Sequence, residues 1–163
     1  MTLFSMEFSN ALLIFLISMT PVVELRGAIP YGAAIGLPAW ETIVLAIAGN
    51  MILTPIIILC IRKGLDWLKT VGIFRRFAEW SERRVLKQKG VLEKYELIGL
   101  AVLVAIPLPG TGAWTGAMLA GLLGMRLRSA LPSIFIGVVI AALIVGGVSY
   151  GFIGALDFMG LHA

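Results

Sequence analysis

The sequence predicts an all-α polytopic membrane protein built from two inverted repeats, each a re-entrant helical hairpin plus a transmembrane helix. Three observations carry that prediction. First, 60% of the 163 residues are hydrophobic and the mean hydropathy is +1.01, beyond the composition of a soluble domain. Second, some uncharged runs are long enough to cross a bilayer and others are too short. Third, the short runs come in pairs, each pair joined by a proline-bearing break.

The first break lies in Met19–Gly36, where Glu24 and Arg26 separate the uncharged runs Phe8–Val23 and Gly27–Trp40. At about 1.5 Å per residue these runs reach roughly 21–24 Å, short of a hydrocarbon core of about 30 Å. A hairpin that enters the bilayer and returns to the same side accommodates both. Phe8–Thr20 is expected to be helical and to end at Pro21, which has no backbone N–H and disfavours helix at the residue before it. Val22–Arg26 is then the tip and Gly27–Leu37 the returning helix, so that hairpin one covers 8–37. Glu7 stands where a signal peptide would be basic, and no small-residue cleavage site follows, so Phe8–Thr20 reads as mature structure. Thr42–Ile61 is twenty uncharged residues, the length of one span. Asn50 and Pro55 interrupt it, either as an interhelical hydrogen bond and a tolerated kink or as the wall of a polar cavity.

Arg62–Glu96 holds ten of the thirteen Lys and Arg residues together with five acids. The apolar runs on both sides make it a cytoplasmic membrane loop and not a nucleic-acid site. Trp67, Leu68, Val71, Phe74, Phe77, Ala78 and Ser81 recur near helical spacing, which predicts one or two interfacial helices. These serve as a topological anchor or contact anionic headgroups.

Leu97–Met125 carries no charge over twenty-nine residues but contains Pro107-Leu108-Pro109-Gly110-Thr111-Gly112, which cannot stay helical. The expected second hairpin runs in over Leu97–Ile106, turns at Pro107–Gly112 and leaves over Ala113–Gly124, covering 97–124. Ser129–Leu156, twenty-eight uncharged residues, supplies the second span over 129–156. With 62–96 inside, the positive-inside rule returns Arg126 and Arg128 to the cytoplasmic face only if the second hairpin re-enters. Both termini are then outside. Arg26-Gly27-Ala28 and Thr111-Gly112-Ala113 match at an offset of 85, as do Ala33–Leu37 and Met118–Leu122. A unit with an odd number of crossings inverts its copy, a recurring transporter design.

No catalytic constellation, metal spacing or cofactor motif is present: His162 is the only histidine, and Cys60, the only cysteine, reads as an inert thiol. Two helix breaks facing each other remain. Their half-helix N-termini favour anions, and Arg26 can add a charge-assisted bond to phosphate or carboxylate. Glu24 can pair with Arg26 and stitch the hairpins together, or carry a coupling proton where burial keeps it protonated. Asn50, Pro107, Pro109, Thr111, Trp114 and Thr115 complete the expected substrate or ion site, with Trp114 serving equally as packing.

Pro21–Pro30 (PVVELRGAIP) and Pro107–Trp114 (PLPGTGAW) resemble the paired signatures of the bacterial and archaeal small multi-drug export protein family, and the resemblance extends over Leu12–Gly151. It implies a multi-pass cytoplasmic-membrane protein that exports small toxic compounds. The layout is more remotely similar to the DedA/VTT superfamily, whose opposed re-entrant hairpins imply proton-coupled lipid translocation. Glu24 and Arg26 match that group's acidic and basic hairpin residues, whereas Pro107–Trp114 holds no Glu, Asp or Arg. The expected function is a transporter for a lipid or an anionic small molecule, with a multidrug exporter and a non-transporting scaffold as alternatives. Membrane lipids and a second copy of the chain are the expected partners.

Overall fold

A computed structural model describes residues 2–70, 91–108 and 111–158. All regular structure among them is helical, in six elements: α1 (Thr2–Ser18), α2 (Glu24–Ala34), α3 (Ala39–Thr70), α4 (Val91–Ala105), α5 (Ala113–Leu122) and α6 (Leu127–Phe158). They form two triplets, each with two short helices followed by a long one.

The triplets share a backbone plan. α3 and α6 each have 32 residues, and their first residues lie 88 positions apart. α2 ends where Gly36 (φ +75°) turns left-handed, and α5 ends in the same way at Gly124 (φ +66°). In the first turn Gly36 N–H donates to Ala33 O and Leu37 N–H to Gly32 O; in the second, Gly124 N–H donates to Gly121 O and Met125 N–H to Ala120 O. These are Schellman caps, which need the φ > 0 that glycine adopts without a Cβ penalty. The backbone equivalence therefore runs at 88 residues and not at the 85 of the short sequence match. Gly36 pairs with Gly124, although Gly121 looks like its counterpart in sequence.

Close contacts fix how the triplets meet. Tyr150 Oη donates to Leu37 O (2.9 Å) and lies 2.8 Å from Thr42 Oγ1, so the end of α6 stands beside the start of α3. At the other end, Ile61 of α3 presses on Gly121, three positions before the turn at Gly124 that leads into α6. α3 and α6 are thus antiparallel. Gly49 of α3 meets Phe15 O and Ser18 of α1, and Gly137 of α6 meets Ala101 O and Val104 of α4. Both glycines let a backbone come close where a Cβ would collide. The breaks consequently stop beside residues about ten positions into α3 and α6, roughly 15 Å along each helix. They approach each other from opposite ends of the long-helix pair.

The interior is built mostly of small residues (Ala28, Ala46, Ala117, Ala120, Ala130, Ala141 and Ala142) around Ile14, Ile29, Ile58, Val104, Ile134 and Val138. Large apolar side chains face outward instead, among them Val44, Ile52, Ile56 and Leu59 on α3 and Phe135, Ile136, Ile140 and Leu143 on α6. Large apolar groups outside and small ones inside suit a lipid surround, where close backbone packing holds helices together. Ala39–Trp67 and Leu127–Ala155 are long and apolar enough to cross a membrane.

Several element bounds differ from expectation. α1 begins at Thr2, and α2 begins at Glu24, so Glu24 and Arg26 occupy the first turn of a helix and not the tip before it. Pro30 sits inside α2 and Pro55 inside α3, neither ending its helix. Thr54, next to Pro55, donates to Asn50 O (2.9 Å). α3 continues past Ile61 to Thr70, and Val91–Glu96 already belongs to α4. The remainder of the expected interfacial segment, 71–90, lies outside the described residues.

Candidate functional site

A broken helix leaves carbonyls at one stump and N–H groups at the other without intrahelical partners. In an apolar surround each must find another partner, and the predicted site residues supply them. At hairpin one, Asn50 is 1% exposed. With its amide nitrogen toward Ser18 O (2.8 Å) and its oxygen toward Leu25 N–H (3.2 Å), it bridges the end of α1 and the start of α2. The adjoining carbonyl, Met19 O, accepts from Trp114 Nε1 at 3.3 Å.

Hairpin two is capped by hairpin one. Glu24 Oε1 accepts from Trp114 N–H (3.1 Å) in the first turn of α5, placing a carboxylate at the positive end of that helix. Gly112, the residue before α5, makes the approach possible, since a Cβ there would overlap the Glu24 carboxylate. Arg26 Nη2 donates to Ile106 O (2.9 Å), just past the end of α4, and to Thr111 Oγ1 (3.1 Å). A guanidinium thereby meets the negative end of α4. The Thr111 hydroxyl lies 2.7 Å from Ile106 O and 2.9 Å from Leu108 O, closing the turn.

The pair doing this work is itself loosely joined. Arg26 Nη1 and Glu24 Oε2 are 3.6 Å apart, with side chains 18% and 5% exposed. Glu24 Oε2 and Arg26 Nε are both buried without a hydrogen-bond partner. Glu24 also has φ +48°, the only positive φ of a non-glycine residue among the described residues. A left-handed conformation costs an L-residue about 1–2 kcal/mol, and strain of that kind persists where surrounding contacts impose it. Here the Trp114 bond and the tight tip impose it, Gly27 having no Cβ because Val23 occupies that space.

Of the predicted site residues, Glu24, Arg26, Asn50, Thr111 and Trp114 come together at the two breaks. Thr115 follows Trp114 in α5. Pro107 is exposed in the turn, and Pro109 lies outside the described residues. Sequence reasoning missed Gly112 and Ser18, together with the carbonyls of Met19 and Ile106. No sequence signal marks a backbone acceptor, and only the facing carboxylate explains why Gly112 must lack a side chain.

The class these features define is an all-α membrane protein whose two broken hairpins cap each other beside a pair of long apolar helices. Residues 24–144 match the family described as "putative small multi-drug export protein", and the chain belongs to that family. No curated protein and no solved structure matches it.

Proposed function

We propose that the chain is a membrane transporter whose site lies between the tips of two opposed re-entrant hairpins, and that it moves an anionic group in exchange for protonation of Glu24. The observation that carries this reading is the unspent bonding capacity of the buried Glu24–Arg26 pair at the mouth of α5. Glu24 holds the anion position at that helix N-terminus. Protonation removes its charge and weakens its hold on Trp114 N–H, so a phosphate or carboxylate oxygen can take the position with Arg26 as counter-charge. Loss of the proton reverses the exchange.

Support for re-entry comes from the short helices, which stop part-way along α3 and α6, and from tips that meet from opposite ends. The same geometry supports an inverted pair of repeats, and the excess of Lys and Arg in 62–96 supports a cytoplasmic position for that segment. The family description favours a second reading, export of a small cationic compound held by Glu24. Arg26 at 3.6 Å weighs against it, because the carboxylate is already compensated.

The test is flux in proteoliposomes under an imposed pH gradient, with a fluorescent anionic phospholipid, a small organic anion and ethidium as cargoes. Gradient-dependent movement of an anionic cargo, abolished in Glu24→Gln, is expected. Ethidium flux that survives Arg26→Ala but not Glu24→Gln establishes the cationic exporter, and no flux of any cargo leaves a scaffold.

A further inference from the structure

We infer that Arg62 anchors a second, separate site, for the phosphate of an anionic lipid at the end of the molecule where α5 turns into α6. Arg62 is half-buried, and its Nε and Nη2 are buried with no hydrogen-bond partner. Nε and Nη2 form one edge of the guanidinium fork, and two unpaired N–H donors on one edge suit an anion that accepts from both.

Its surroundings indicate which anion. Arg62 follows the fully buried Ile58 by one helical turn and therefore shares its face. On that face Ile58 O and Ile61 Cβ would lie 3.3 and 2.7 Å from a Cβ on Gly121, so Arg62 stands beside the last turn of α5. Arg126 and Arg128, both exposed, follow in the turn and in the first residues of α6, and Lys63 is exposed next to Arg62. Among residues whose side chains are described, four of the five cations gather at this end. Among the residues whose side chains are described, Asp66 is the only acid at this end, and it is engaged in an interaction of its own.

Depth decides between a lipid and a soluble phosphate. From Ala39 to Arg62 is twenty-three residues, about 34 Å of helix, close to a hydrocarbon core of about 30 Å. Exposed Leu59 and Cys60 precede Arg62 and exposed Trp67 follows it, the order of acyl chain, headgroup and aromatic belt. The guanidinium is thus level with lipid phosphates, and the surrounding positive charge selects anionic headgroups over zwitterionic ones. The site stands apart from the hairpin tips and does not depend on the transport reading.

The test uses the full chain in nanodiscs of equal parts phosphatidylglycerol and phosphatidylcholine, with mass spectrometry of the lipid retained after extraction. Retained phosphatidylglycerol is expected to fall about ten- to hundredfold in Arg62→Gln, the loss of a charged hydrogen-bonded contact. Arg62→Lys, which keeps the charge but not the planar fork, falls several-fold. Lys63→Gln, with its exposed neighbour charge removed, stays near wild type. Wild-type retention in both Arg62 variants overturns the site, and so does an equal loss in Lys63→Gln, which signifies diffuse attraction only. Displacement of the lipid by millimolar inorganic phosphate overturns the lipid as occupant.

Discussion

Hairpin one and hairpin two have the same backbone and opposite chemistry. At the offset of 88, Asn50 corresponds to Val138, Glu24 to Gly112 and Arg26 to Trp114, while Gly49 corresponds to Gly137 in both sequence and contact. Hairpin one carries charge and is closed by an amide from its own long helix. Hairpin two carries none, and Val138, fully buried, offers nothing where Asn50 would stand. Its stumps are closed by the charges of hairpin one. The difference teaches that the two halves are not spare copies: the break without charged side chains is stable because the other break supplies them.

Several substitutions would break or sharpen that contrast, and thermal unfolding in detergent measures each. Asn50→Leu should cost most, about 2–6 kcal/mol, since it strands two buried backbone groups at roughly 1–3 kcal/mol each. Gly112→Ala comes next, at about 1–3 kcal/mol for overpacking, because the new methyl displaces Glu24. In Glu24→Ala the same substitution should be nearly silent, a coupling that a double-mutant cycle resolves. Thr111→Val should cost about 1–2 kcal/mol, since its hydroxyl both accepts from Arg26 and donates within the turn, and should loosen Arg26 without touching the Asn50 bridge of hairpin one. Smallest is Pro107→Ala, exposed in the turn and expected within about 0.5 kcal/mol of wild type. Topology offers a separate check. In a Cys60→Ala background, cysteines at Ala39 and Arg126 should label from opposite sides of the membrane. If both label from one side, the hairpins do not enter from opposite faces.

The sequence made the breaks legible at Pro21 and at the Pro107–Gly112 run, although Pro30 and Pro55 stay inside their helices. It also pointed to Glu24 and Arg26, since ionisable groups there are costly enough to stand out. The offset that relates the two triplets was not legible. Runs of Gly, Ala and Leu match at several offsets, and only the left-handed turns at Gly36 and Gly124 select 88. Nor could sequence show that Arg26 seeks the carbonyl of Ile106 more closely than the carboxylate of Glu24. Spacing brings the two charges near each other, whereas the backbone orphans that draw them apart belong to a segment about eighty residues away.

That distance has a consequence for biogenesis. Trp114, whose N–H meets Glu24, lies 90 residues downstream of it. At ribosomal speeds of about 5–20 residues per second, Glu24 and Arg26 leave the ribosome roughly 5–20 s before their partners exist. During that interval the nascent hairpin holds a carboxylate and a guanidinium with only each other for company. A chain arrested before Thr111 should therefore be a substrate for membrane quality control, and one extended far enough for the whole of α5 to leave the ribosome should escape it.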